Sequence, residues 1–375
     1  MSQVHSQMVI TGAERTHLYV KLLLEKRIAI CGNQTSTVGT THLVDTLLSK
    51  GINIVKIFCP EHGFRGEAEA GAHINSSVDT KTSLPIVSLY GKNKKPSAEQ
   101  LQDVDIILFD LQDVGCRFYT YISTLHYIME AAAEQHLKVI VLDRPNPNGY
   151  FMDGPVLDTA YQSFVGMHPV PVVYGMTIGE YAQMINGEGW LANGSQCDLQ
   201  VIPLSNYNHQ TRYQLPVAPS PNLQTAEAIY LYPSLCFFEG THISVGRGTP
   251  TPFQIFGAPT LAATDYLFTP KPITGVSENP PCKGEICYGY NLTDFANQRL
   301  QKDNCIWLNF LLTAYQTDSL KDTFFANAQF FDKLAGSEQL RLQIINGVSE
   351  QEIRDSWSER LERFKAVRVK YLLYP

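Results

Sequence analysis

Pro60-Glu61-His62-Gly63-Phe64-Arg65-Gly66 puts a carboxylate, an imidazole and a guanidinium inside five residues, next to glycines that let the backbone turn sharply. Such a set suits proton transfer and anion recognition; the plainer alternative is a solvated turn in which Glu61 and Arg65 pair. Four further stretches are comparably dense: Asn33-Gln34-Thr35; Asp110 to Tyr121, with Asp113, Arg117 and Tyr121; Asp143 to Gly149, with Arg144 and Asn146; and Phe238-Glu239-Gly240-Thr241 with Gly246-Arg247-Gly248-Thr249. Each has a structural alternative: Asp113 pairing with Arg117, Asp143 capping a turn, Arg247 holding the fold. As a set they point to chemistry. Arg117, Arg144 and Arg247 suit a carboxylate or phosphate gripped by both arms of a guanidinium. Phe64, Phe118, Tyr119 and Tyr121 suit a sugar ring, with its apolar faces and polar edges. Glu61 and Glu239 are candidate carboxylates for acid/base work of the kind glycoside hydrolysis uses. The residue types favour an anionic sugar as ligand.

The first four stretches each follow an apparent strand. Residues 14–27 read as a short helix leading into a strand over 27–31, and 42–50 as a second helix with Gly51 just past its end. A β-branched strand over 52–58 completes a βαβ unit. The apolar runs at 104–109 and 139–142 predict strands buried on both faces, with a helix over 120–135 between them. Further strands are expected at 170–173 and 199–202, and a helix from Thr177, which stands at capping-box spacing from Glu180. The pattern predicts a doubly wound α/β domain over residues 1–205, whose loops beyond the strand ends share one rim. Residues 206–222, polar and proline-punctuated, read as a linker. Residues 223–375 are expected to form a smaller domain with helices over 292–315, 322–334 and 350–365 and a last strand over 367–373.

A chain of 375 residues exceeds the usual single core, in keeping with two domains. A net charge of −7 disfavours nucleic acid or an anionic membrane surface as partner. No apolar run reaches the ~20 residues of a membrane span, and residues 1–10 have neither the basic nor the apolar region of a signal peptide. The eight cysteines include no CxxC pair; Cys282 and Cys287, in a Gly/Pro-rich loop, could bridge, but their spacing is not diagnostic. There is no GxGxxG turn, Walker loop, GxSxG elbow or HExxH. His62, His73, His126 and His168 are scattered without metal-ligand spacing, so no metal is expected.

Asn33-Gln34-Thr35, Pro60 to Gly66, Asp110 to Tyr121, Leu142 to Gly149, Pro219-Ser220-Pro221-Asn222-Leu223 and the Glu239/Arg247 stretch occur in an order that resembles the exo-β-N-acetylmuramidases of the NamZ type. The resemblance runs from about Ile10 to Tyr374. It implies a Rossmann-like domain with a smaller α/β domain, an active site in the cleft between them, no cofactor, and release of terminal N-acetylmuramic acid from the non-reducing end of peptidoglycan fragments. Glu61 is then the expected catalytic acid, with His62 orienting it or a water, and Asp113 or Glu239 the second carboxylate. Arg117, Arg144 and Arg247, with Arg65 nearby, are expected to meet the lactyl carboxylate, and Asn33, Asn146 and Tyr121 the rest of the sugar. Relatives are often exported, which implies a periplasmic or exported protein; the absent signal favours the cytoplasm. Lactyl-ether cleavage and non-catalytic muropeptide binding are the alternative functions.

Overall fold

In the computed structural model, which describes residues 8–61, 63–65, 77–299 and 302–375, alternate residues of the central strands feed two separate cores. Ala29, Cys31, Ile107, Phe109, Val139 and Val141 face one core; Ile28, Ile30, Ile106, Leu108, Ile140 and Leu142 face the other. The period of two is that of a strand, and apolar residues on both faces are what a covered parallel sheet requires.

The strands are β1 (Ile28–Gly32), β2 (Thr37–Val38), β3 (Thr41–His42), β4 (Ile54–Cys59), β5 (Ser77–Val78), β6 (Pro85–Ser88), β7 (Ile106–Asp110), β8 (Lys138–Leu142), β9 (Asp198–Ile202), β10 (Ile255–Ala258), β11 (Tyr266–Phe268) and β12 (Cys287–Asn291). Seven form one sheet in the order β5-β6-β4-β1-β7-β8-β9, parallel throughout except where β5 meets β6. The chain runs outward from β1 through β4 to β6, then returns to the other side of β1 for β7, β8 and β9. The point where it reverses, between the carboxyl ends of β1 and β7, is where such sheets open a ligand crevice.

Helices Thr16–Leu23 and Leu43–Ser49 cover one face through Tyr19, Leu23, Leu43, Val44 and Leu47. Helices Tyr121–Glu134 and Ile178–Gly187 cover the other, and that core continues without a break into Leu231, Phe238, Phe256, Leu311, Phe331 and Trp357 of the C-terminal part. The C-terminal part combines a three-stranded antiparallel sheet, β10-β12-β11, with helices that include Ala226–Leu235, Ala328–Ala335 and Glu350–Arg368. The architecture is thus α/β with a second, smaller unit. No described helix is long and apolar enough to cross a membrane.

Four local expectations need correction. Residues 170–173 are extended but join no sheet: Val173 makes only isolated bridges to Cys116 and Asp153, and the carbonyls of Val170 and Val172 accept from Arg117 instead. Residues 367–373 are not a strand. Ile353, Trp357, Leu361, Phe364 and Arg368 keep a spacing of three or four and are buried on one face, so the helix continues to Arg368 and ends in a single tight turn. The expected helix over 292–315 is two, Thr293–Arg299 and Asn309–Thr317. Cys282 and Cys287 are both free thiols.

The C-terminus docks on the first sheet. The Tyr374 hydroxyl donates to Asp143 at 2.5 Å and accepts from the Leu204 amide at 2.8 Å, and the Leu373 amide donates to Glu180 at 2.8 Å. Burial pushes the Asp143 carboxyl up to about 7, so each donor it receives matters. Tyr374→Phe leaves Asp143 short of one donor and is expected to cost about 1–3 kcal/mol of stability, read from the midpoint of denaturant unfolding. An unchanged midpoint would show that the tail is not part of the cooperative unit.

Candidate active site

β4 and β6 are parallel neighbours, so the loops beyond their ends lie side by side. Pro60 stops the β4 ladder and presents Glu61; Leu89 donates back to the Cys59 carbonyl at 2.8 Å and presents Tyr90. Glu61 and the Tyr90 hydroxyl meet as hydrogen-bond partners. Burial, and then the Glu61 charge, push Tyr90 up to about 12, so it keeps its proton as a donor. On the other side of β1, the loop beyond β7 delivers Phe118, Tyr119 and Tyr121.

These residues line a cavity of about 280 Å³. It is lined as well by Tyr232, Glu239, Arg247, Phe253 and Phe330 of the C-terminal part, by Ser220 and Asn222 of the connecting segment and by Leu223 just after it. Glu61 and Glu239 therefore face the same space. Arg247 directs both Nε (2.7 Å) and Nη2 (2.6 Å) onto Oε1 of Glu239 and stacks over Phe253, 5.0 Å from its ring centroid. Burial alone would pull this guanidinium down; the Glu239 charge outweighs it and holds it above its ordinary value. Arg247 Nη1 has no protein partner among the described residues.

The other arginines have different work. Arg117 is fully buried, and its guanidinium donates to the carbonyls of Pro155 (2.7 Å), Val170 (2.7 Å) and Leu334 (2.8 Å), tying the loop after β7 to the helix Ala328–Ala335. It has no carboxylate partner among the described residues, and burial pulls it down to about 10. Gly336, at φ +86°, leaves room for it: a Cβ there would lie 2.9 Å from Nη2. Arg144 is buried against Asp110, Nε to Oδ1 at 2.6 Å and Nη2 to Oδ2 at 2.9 Å. Arg65 grips Asp79 with two bonds, at 2.7 and 2.8 Å, which fastens the Glu61 loop to the turn after β5. Neither Arg117 nor Arg144 lines the cavity, contrary to the expectation that they share one concavity with Glu61 and Glu239.

Asp113 also lies outside the cavity lining. It is buried, accepts from the Tyr174 hydroxyl and from the Gly115 amide at 2.7 Å, and is pushed up to about 6 by burial. Asn33 spends its amide nitrogen on the Tyr121 hydroxyl at 2.7 Å and its oxygen on Thr35, so it sets Tyr121 from behind. Asn146 donates to the Met176 carbonyl and accepts from the Asn148 amide. Its amide packs so close to Gly115 that a Cβ on that glycine would lie 2.2 Å from it. His62 lies outside the described residues.

The residue types alone do not single out Tyr90, Tyr232, Phe253 and Phe330 as cavity residues. Asn222 is more telling: it is 2% exposed, and its Oδ1 has no donor among the described residues while Nδ2 donates to the Val276 carbonyl at 3.3 Å. The Pro219 to Leu223 stretch was the signal available for it. That segment is no free linker, since Pro219 accepts from Tyr119 at 2.9 Å and Gln34 donates to Ala218 at 3.1 Å.

Two family models match the chain: one described as exo-β-N-acetylmuramidase NamZ, N-terminal, over residues 28–227, and one as its C-terminal counterpart over residues 230–374. A peptidoglycan β-N-acetylmuramidase NamZ of Bacillus subtilis (strain 168) is 39% identical across 95% of this chain and 89% of that protein. Crystal structures of two DUF1343 family proteins of Bacteroides fragilis superpose over 98% of this chain and 99% of theirs. One has a TM-score of 0.91 at 47% identity and the other 0.83 at 29%.

Two outcomes check these assignments. Arg117→Met strips three carbonyls, two of them in buried bonds, of their donor, and is expected to lower stability by about 3 kcal/mol or more in denaturant unfolding. A loss confined to ligand affinity, with an unchanged midpoint, would return Arg117 to the binding set. The hydrogen bond from Arg65 holds the Asp79 carboxyl at about 2, well below its ordinary range. A folded value below the unfolded one stabilises the protein above pH ~4 and loses that contribution as the pH falls towards 2. Asp79→Asn is expected to flatten stability against pH in this window; an unaltered profile would contradict the pairing.

Proposed function

The chain belongs to the exo-β-N-acetylmuramidase NamZ family, and from that membership and the cleft we propose an exo-acting glycosidase that releases terminal N-acetylmuramic acid from the non-reducing end of peptidoglycan fragments. The observation that carries the reading is that Glu61 and Glu239 both line one aromatic-rich cavity. Two carboxylates flanking a sugar ring are the working parts of most glycosidases, and different surroundings give them different roles.

Glu61 protonates the leaving glycosidic oxygen, with the Tyr90 hydroxyl as its fixed neighbour. His62 orients Glu61 or a water. Glu239, paired with Arg247, is the carboxylate that faces the developing positive charge of the sugar, and its separation from Glu61 sets whether it acts on a water or on the sugar itself. Enclosed as it is, Asp113 is less suited to that role. Arg247 Nη1 is positioned for the lactyl carboxylate, and Asn222 Oδ1 for the N–H of the acetamido group. Tyr119, Tyr121 and Tyr232 supply the ring platform. In this reading residues 1–205 and 223–375 act as two domains that close the cleft, with 206–222 forming part of its wall. That second wall blocks the cavity on one side, which suits an enzyme that accepts only chain ends.

Glu61→Gln removes the proton donor at nearly constant shape and is expected to reduce turnover of a muramic-acid-terminated disaccharide by at least ~10²-fold with unchanged folding. Near-normal turnover would end the assignment. Arg247→Ala is expected to erode the preference for muramic over N-acetylglucosamine termini, since those sugars differ by one lactyl carboxylate. Equal wild-type rates on both termini would contradict the role given to Arg247.

A further inference from the structure

A second and larger cavity, of about 530 Å³, is also lined by the connecting segment. Ala218, Gln224 and Thr225 line it, while Ser220, Asn222 and Leu223 line the glutamate cavity. The walls thus meet at Leu223 and Gln224, whose Cα atoms are ~3.8 Å apart as in any trans peptide.

The second cavity has unmet polar groups. Asn148 is 1% exposed, and its nitrogen donates to the carbonyls of Val114 (2.9 Å) and Ile229 (3.3 Å). Both partners are acceptors, so the amide cannot be turned over, and its buried Oδ1 has no donor among the described residues. Arg212 lies over the face of Tyr150, 3.1 Å from the ring centroid; its Nη2 donates to Asn304 Oδ1 at 3.4 Å, and it has no carboxylate partner among the described residues. Glu227 has no ion pair among the described residues, and Tyr230 and Gln224 also line the cavity. Aromatic faces, amides and a guanidinium without a counter-charge form a site for a hydroxyl-rich ring that bears a carboxylate.

We propose that this cavity is an accessory site for a downstream sugar of the same glycan. Arg212 receives its lactyl carboxylate, Asn148 Oδ1 and Glu227 accept from its hydroxyl or acetamido groups, and Tyr150 and Tyr230 supply the platform. The assignment rests on the muramidase reading of the first cavity. Peptidoglycan strands alternate N-acetylmuramic acid with N-acetylglucosamine, so a chain whose terminal muramic acid occupies the first cavity carries its next carboxylate two sugars further on. The enzyme would then favour longer strands while removing a single sugar at a time.

The test compares a muramic-acid-terminated disaccharide with the corresponding tetrasaccharide. Wild-type protein is expected to show a kcat/KM about tenfold higher on the tetrasaccharide, the worth of one charge-assisted contact, and Arg212→Ala to abolish that gain without altering disaccharide kinetics. Equal wild-type values on the two substrates, or an advantage that survives Arg212→Ala, would overturn the proposal. Titration calorimetry of the tetrasaccharide on Glu61→Gln protein, with and without Arg212→Ala, decides the matter without turnover: weaker binding by about tenfold supports the site, and equal binding refutes it. Failure of wild-type protein to hydrolyse either saccharide, with Arg212-dependent binding intact, would count against the muramidase reading and not against the second site.

Discussion

One buried ion pair sets the rim on which the site is built. Asp110 ends β7, Arg144 follows β8, and their side chains meet through two bonds in the interior. A buried pair of this kind adds little over an apolar core, but losing one partner costs about 3–5 kcal/mol, because the other charge is left stranded. The pair therefore fixes where the loops after neighbouring strands begin. Arg144 reaches on to the Thr37 carbonyl at 3.2 Å, and Ser36 donates to the Asp110 carbonyl, which draws the loop after β1 into the same lattice. Asp143, just before Arg144 in the chain, accepts from Thr177 and from the Gly179 amide at the start of the following helix, and from Tyr374 at the far end of the sequence. Glu61, Tyr90, Tyr119 and Tyr121 stand beyond the ends of strands of the same sheet.

The arginines divide according to where their partners lie. Arg117 uses its donors on backbone carbonyls, two before the connecting segment and one beyond it. Arg144 is neutralised by a carboxylate in the core, and Arg65 clamps a loop to a turn. Arg247 is paired as well, but the pair borders the cavity, and among the described residues one nitrogen is left over. A charged group committed to the interior is a poor ligand for substrate, because binding would have to break contacts already made in a desolvated setting. The interior arginines thus give rigidity to the wall that carries the glutamates.

Much of the fold was legible in the sequence because its signals are local. Apolar runs such as 106–109 and 139–142 can be covered only on both faces, and the Thr177/Glu180 capping box marks a helix start that the structure contains. The strand order was not legible, since β4 and β7 flank β1 through contacts distant in sequence. Residues 170–173 have strand-like composition, yet their carbonyls are claimed by Arg117, a long-range partner that no window reveals. For the site, Glu61, Glu239, Arg247 and Tyr121, singled out by residue type and density, line one cavity. The same signals misjudged the facing of Arg117, Arg144, Asn146 and Asp113, because type and spacing do not tell a side chain that meets a ligand from one that meets the backbone. Tyr90 had no local signal; it matters because β6 lies beside β4.

The central claim is that the cleft cuts a glycosidic bond at a chain end and leaves the lactyl ether whole. It is tested most directly by mass spectrometry of the products from a muramic-acid-terminated disaccharide incubated in ¹⁸O-labelled water. The account predicts intact N-acetylmuramic acid carrying one labelled oxygen at its anomeric centre, together with unlabelled N-acetylglucosamine. Release of the lactyl group with the glycosidic bond unbroken, or recovery of the disaccharide unchanged, would contradict it.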